Sequence, residues 1–427
     1  MTRILIRQGR LIDPESGLDE IGDVAIADGR IVGLGGSIDD FTPEQTLDAT
    51  GRWVIPGLID LSARLREPGQ TRKADIASES RAAAAAGITT LVMPPDTAPI
   101  MDSPAVVEQV AHRAEQAAGA RVVPLGALTQ GLAGEQLPGM AGLAAAGCPA
   151  VSDGGRPVRD SQVLRNALDY ACTYSLPALL TPVDPYLRGG CLNQGPTATR
   201  LGLPGVPAAA ETAGLGRQLA IADATRARVH VGRLSSADGA RLLTGERGHQ
   251  RGLSADVAIH QLFLTDQDAM DYDTRFHLDP PLRDIVDRQA LRQAVADRVI
   301  RIICSDHQPH DGDAKDGPFA STEPGASGID TLLPLVLRLV EDEVLPLHRA
   351  LGTVTVEPAR LLGLEGGRLG LGGAADLTVV DPVAPWFCTH ETLKSRGRNS
   401  PFMGWEFSAR VTHTLVGGRL IRADDPA

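Results

Sequence analysis

The residues best suited to chemistry sit in a few short stretches. Asp306-His307-Gln308-Pro309-His310 places one carboxylate and two imidazoles close together. Such a trio can pass protons as an acid–base pair, or hold a lone metal ion through Asp306, His307 and His310. A second stretch, Asp60-Leu61-Ser62-Ala63-Arg64-Leu65-Arg66, mixes a carboxylate, a hydroxyl and two guanidinium groups. Asp96, Asp153, Thr181, Arg233 and His260 stand singly elsewhere. None of Ser62, Ser235 or Ser305 lies in a G-x-S-x-G elbow, so no serine triad emerges. An acid–base pair without an electrophile has little with which to hydrolyse a stable amide. Taken one at a time, each residue reads as a helix N-cap or a solvated loop position.

Elements that could gather these residues are legible in the middle of the chain. Strand-like apolar runs are predicted at 53–59, 88–93, 121–128, 149–152, 177–182, 228–233, 254–259 and 299–305. Ala-rich helical stretches lie between most of them, for example KADIASESRAAAAAG, SPAVVEQVAHRAEQAAGA, SQVLRNALDYACTYS and DRQALRQAVADR. Alternation of this kind predicts an α/β protein, a (β/α)8 TIM barrel over residues 53–369. A doubly wound open sheet would want a Gly-rich phosphate turn after its first strand, and VIPGLIDLSARLR has no GxGxxG. In a barrel, the polar residues just past each strand gather at the C-terminal mouth. Residues 1–52 and 370–427 alternate apolar and polar positions around Gly and Asp turns. They are expected to form one small β-sandwich from both termini.

Composition narrows the partners. The 427 residues are 43% hydrophobic and 22% charged, which argues for a folded chain rather than disorder. The net charge of −12 and the 3% aromatic content speak against nucleic acid or an anionic membrane as main partner. Cys148, Cys172, Cys191, Cys304 and Cys388 form no CxxC pair, which suits a reducing compartment. The start, MTRILIRQGRLID, lacks the apolar core of a signal peptide, and no run is long enough to span a bilayer. A cytoplasmic location is expected.

The chain resembles the dihydroorotases of the cyclic amidohydrolase family. The likeness opens with IPGLIDLSARLREPG and KADIASESRAAAAAGITTLVMPPDTAPI. It continues through VSDGGRP, VHVGRLSSADGARLL, DPPLRDIVDRQAL, CSDHQPHDGDAK, EPGASGIDTLLPL, GGAADLTVVDP and NSPFMGWEF. The resemblance spans essentially the whole chain and implies the barrel-plus-sandwich architecture.

It also implies a metal site that this chain has altered. Two histidines of the family's Asp-x-His-x-His-x-Arg motif correspond to Ser62 and Arg64. The fifth-strand histidine corresponds to Thr181 and the sixth-strand histidine to Arg233, while carboxylates remain at Asp153 and Asp306. A catalytic zinc wants about three His, Asp, Glu or Cys ligands. Hydroxyls are poor substitutes, and a protonated arginine has no lone pair to offer. We therefore expect no metal, no cofactor and no catalytic residue, with Arg64 and Arg233 set against Asp153 and Asp306 in the vacated space. Arg66 and His310 match family residues that contact substrate. Asp96 and Asp279 replace family asparagines and should repel an anionic substrate.

The resemblance is strongest to non-catalytic dihydroorotase-like subunits of bacterial aspartate carbamoyltransferase, which serve pyrimidine biosynthesis. It implies a hetero-oligomer with that enzyme's catalytic chain, with six plus six as the matched stoichiometry. One alternative is an active metal-dependent cyclic amidohydrolase with a single metal at Asp153, Asp306 and His307. Another is a ligand-sensing module built on the old pocket.

Overall fold

The computed structural model describes residues 3–244 and 253–424. Its barrel strands are short, buried and parallel. They run Leu58–Asp60, Ile88–Met93, Arg121–Pro124 continued by Gly126–Ala127, Val151–Ser152, Ala178–Leu180, Val229–Val231, Leu253–Ala258 and Ile302–Cys304. The third crosses between two ladders: Arg121–Pro124 pairs with the second strand and Gly126–Ala127 with the fourth. The circle closes between eighth and first strands through a parallel bridge from Ala63 to His307. His307 N–H donates to Ser62 O at 3.0 Å, and Arg64 N–H to His307 O at 2.9 Å. Closure therefore runs through the two chemistry-bearing stretches themselves.

Alternation along the strands sorts the core into layers. Ile59, Val92, Val123, Leu179, Ala258 and Ile302 pack with Ala359 and Leu362 of helix Val356–Leu362. Their neighbours Leu58, Leu91, Val122, Ala178, Val257 and Ile303 join the larger cluster with the outer helices. Helices Ile76–Ala85, Pro104–Ala117, Ser161–Thr173 and Ile285–Ala296 occupy the four stretches predicted from the sequence. Asp75, Asp160 and Asp284 cap three of them by accepting backbone N–H bonds.

The termini build one eight-stranded sheet. Its long strand Arg3–Asp13 pairs first with Gln45–Asp48 and then with Trp53–Pro56. A register break between Ile6 and Gly9 separates the two halves. Trp53–Pro56 in turn pairs with Leu377–Asp381, which pairs with Arg410–Val416. Ile4, Leu11, Val54, Leu377, Val379 and Leu415 make a separate core.

Two expectations need correction. The run 53–59 is not one barrel strand: Trp53–Pro56 belongs to the terminal sheet, and only Leu58–Asp60 enters the barrel. Gly57 separates them, where an added Cβ would fall 2.2 Å from Thr89 Cγ2. Nor does all of 370–427 join the terminal sheet. Leu393, Phe402 and Phe407 bury into the barrel's cluster. The hairpin of Trp386–Phe387 and Glu406–Phe407 holds this excursion in place.

Candidate functional site at the barrel mouth

Arg64 and Arg233 both reach the same carboxylate. Their Nη1 atoms each lie 3.3 Å from Asp306 Oδ1. Ser62 Oγ donates to the same oxygen at 3.4 Å, and Gln308 Nε2 donates to Oδ2 at 3.1 Å. Both arginine side chains are 10% exposed and Asp306 is 3% exposed, so water screens this cluster weakly. Burial works against the Arg233 charge, but Asp306, Asp279 and Asp256 raise its pKa above the ordinary value.

Backbone geometry aims these side chains. Arg66, Arg233 and Asp306 have φ of 65°, 59° and 45°, in the left-handed region that non-glycine residues rarely adopt. Such positions cost on the order of 1–3 kcal/mol each and persist where their surroundings over-determine them. For Arg233 the determinant is Asp256, whose Oδ1 accepts its backbone N–H at 2.8 Å. His230 Nε2 lies 2.8 Å from the other oxygen of Asp256 and its Nδ1 2.8 Å from Ser254 Oγ. This buried brace carries no signal in the sequence beyond polar residues within predicted strands.

Asp153 does not pair with an arginine as expected. Its oxygens accept from Thr181 N–H and Thr181 Oγ, each at 2.8 Å, and from Gly155 N–H at 3.1 Å. Neutral donors close by satisfy the carboxylate locally, and burial pushes its pKa up.

Asp96 and Asp279 are also corrected. Neither stands as uncompensated negative charge. Arg64 Nε donates to Asp96 Oδ2 at 2.7 Å, and Arg188 Nη2 donates to Asp279 Oδ2 at 2.5 Å. The repulsion expected from two added acids is therefore largely neutralised. Arg188 was missed by the sequence reading, since nothing local distinguishes it from a loop arginine.

The histidines divide. Gly328 N–H donates to His307 Nδ1 at 3.1 Å, so Nε2 carries the hydrogen and donates to Glu79 Oε2 at 2.9 Å. Glu79 also accepts from Ser395 Oγ and Arg396 N–H. Although burial raises its pKa, the His307 bond and these donors hold it below the usual value. With both nitrogens used, His307 is a structural clamp. It cannot serve as a metal ligand beside Asp306 or as the partner of His310. His310 sits instead with Arg66, whose Nη2 lies 3.2 Å from its Nε2, while Arg66 Nε donates to Pro309 O. Burial and the nearby cations drive the His310 pKa down to about 2.

Zinc does not fit this mouth. The residues at the four imidazole positions offer hydroxyl and guanidinium groups, and the hydrogen-bond donors that surround Asp306 would have to leave first. Among the described residues, no three His, Cys, Asp or Glu side chains are grouped to hold a metal ion.

Two family models match the chain. One, described as dihydro-orotase-like, covers residues 51–239; the other, the amidohydrolase family, covers residues 265–421. A dihydroorotase-like protein of Pseudomonas aeruginosa is 45% identical over 98% of this chain and 99% of its own length. The chain belongs to the dihydroorotase-like amidohydrolases. A dihydroorotase-like protein of Pseudomonas putida is 42% identical over 98% of both chains. A protein named dihydroorotase from Syntrophotalea carbinolica is 40% identical, again over 98% of both. Among solved structures, the L-hydantoinase of Arthrobacter aurescens matches with a TM-score of 0.89 at 20% identity, covering 99% of this chain and 96% of that one. That likeness establishes the fold of this dihydroorotase-like chain, a barrel with its sheet of terminal strands. No helix among its described residues is long and apolar enough to cross a membrane.

Proposed function

We propose that this chain is a catalytically inactive dihydroorotase homologue that acts as an assembly subunit of aspartate carbamoyltransferase. The carrying observation is the convergence of Arg64 and Arg233 on Asp306. Ring opening in this family's chemistry asks for a metal-bound water of lowered pKa and a polarised carbonyl. Here guanidinium groups supply the positive charge that a metal would bring, but they neither bind water as a nucleophile nor lower its pKa as zinc does. Asp153 and Asp306 are engaged by protein donors, and His307 is turned to Glu79.

A barrel without chemistry persists if its surface has a partner. A trimeric catalytic partner favours six copies of each chain around two trimers, the closed arrangement with matched stoichiometry. A reducing cytoplasm suits the role, since all five cysteines are free.

Metal analysis and a dihydroorotate ring-opening assay on the purified protein test the first half. The expected result is no stoichiometric zinc and no turnover, and zinc with turnover would return the chain to the active hydrolases. Ser62→His, Arg64→His, Thr181→His and Arg233→His together should recover metal binding, whereas any one alone should not. Purification from native extract tests the partner. Aspartate carbamoyltransferase fully assembled without this chain would defeat the scaffold role.

A further inference from the structure

We infer that the space between Arg64, Arg233 and Gly155 at the barrel mouth binds a small oxyanion of formate or bicarbonate size. Arg64 uses Nε on Asp96 and Nη1 on Asp306, and Arg233 uses Nη1 on Asp306 and Asp279 O. The two Nη2 groups converge elsewhere. A Cβ built on Gly155 would lie 3.3 Å from Arg233 Nη2 and 3.4 Å from Arg64 Nη2. Gly155 has φ of 84° and no side chain, which lets both guanidinium groups come close to its Cα and to each other. Beside them lies a cavity of about 40 Å³ whose lining includes both arginines, Ser152, Gly155, Thr181 and Asp256. That is room for roughly three waters or one small planar anion.

The donors suit an oxyanion. Two guanidinium N–H edges make charge-assisted bonds of the kind that recognise carboxylates. Ser152 Oγ accepts from Gly154 N–H at 3.1 Å, which leaves its own hydrogen to give. Arg233 Nη2 otherwise makes only a long contact, 3.4 Å, to Thr181 Oγ1. The surrounding acids are committed elsewhere. Asp96 and Asp306 already pair with the arginines, Asp279 pairs with Arg188, Asp153 is held by Thr181 and Gly155, and Asp256, which lines the cavity, is engaged by Arg233 N–H and His230 Nε2. Burial also raises the Asp153 pKa, which weakens its repulsion of a neighbouring anion.

This inference rests on the same arginine geometry as the proposed loss of catalysis, but not on the partner. It is tested by carbon-13 formate NMR on the full chain at constant ionic strength, with bicarbonate as competitor. Saturable formate line broadening, displaced by bicarbonate, is expected. Arg64→Lys keeps the charge but loses the forked donor, and should weaken binding about tenfold or more. Arg233→Leu should abolish it. Ser152→Ala, a milder change that keeps both arginines, should weaken binding several-fold and guards against variants that fail to fold. No saturable formate binding up to about 100 mM would overturn the inference, as would binding indifferent to all three substitutions. With zinc and turnover absent, that failure leaves the non-catalytic reading standing. Zinc with turnover removes both.

Discussion

Asp60 ends the first barrel strand fully buried, and its burial pushes the carboxyl up to about 6 from the ordinary 3.8. Ser305 donates to it through both backbone N–H and hydroxyl, and these bonds work against the rise. The folded protein thus holds this proton more tightly than the unfolded chain does. The contribution is fully present below pH 3.8 and lost as pH rises through about 6. Asp60→Asn should remove that dependence. The stability of the wild type relative to the variant should decline between those two values, as read by chemical denaturation at each pH; a difference that stays flat would refute the assignment. At this scale the sequence exposed residue types but not partners. The positions of Ser62, Arg64, Asp153, Thr181, Arg233 and Asp306 were legible as a group because they follow predicted strands. That Asp96 would meet Arg64, Arg188 meet Asp279 and Glu79 meet His307 was not. Each of those pairs joins loops or helices from separate parts of the chain, and local spacing says nothing about which cation an acid will find.

Gly57 shows the same limit for elements. The run WVIPGLI is apolar throughout, and Pro56-Gly57, a dipeptide that marks turns, hints at a break without saying which sheet each half joins. Three-dimensional packing divides it, because Trp53–Pro56 pairs with Leu377–Asp381 and Leu58 opens the barrel ladder. The chain crosses from one sheet to the other against Thr89, with no room for a Cβ. Gly57→Ala is expected to cost about 1–3 kcal/mol through overpacking. All three closest atoms belong to Thr89, so Thr89→Gly in the same chain should recover much of that loss. A double-mutant cycle by thermal or urea unfolding measures it; additive effects would place the strain elsewhere.

The whole molecule is tied together by its ends. Arg410–Val416 and Arg419–Arg422 finish the sheet begun by Arg3–Asp13, with Trp53–Pro56 and Leu377–Asp381 between them. Leu415 and Val379 are buried there, and Val411 packs into the barrel's own cluster. A chain truncated after residue 408 would uncover both cores and leave Leu377–Asp381 as an unpaired apolar edge. It should be insoluble or aggregate on expression, and a truncated chain that is monomeric with native circular dichroism would contradict this arrangement. The sequence by itself determined the barrel and its terminal sheet, because strand and helix rhythms are local properties of side-chain pattern. Its resemblance to the family also implied that imidazoles are missing at four mouth positions, where hydroxyl and guanidinium groups are poor zinc ligands. Only the tertiary structure decided what took their place. Two guanidinium groups share one carboxylate there, a neighbouring carboxylate is satisfied by a threonine, and a histidine is turned away to a buried glutamate. Those outcomes depend on distances between segments far apart in the chain, set by barrel closure rather than by any neighbour along it.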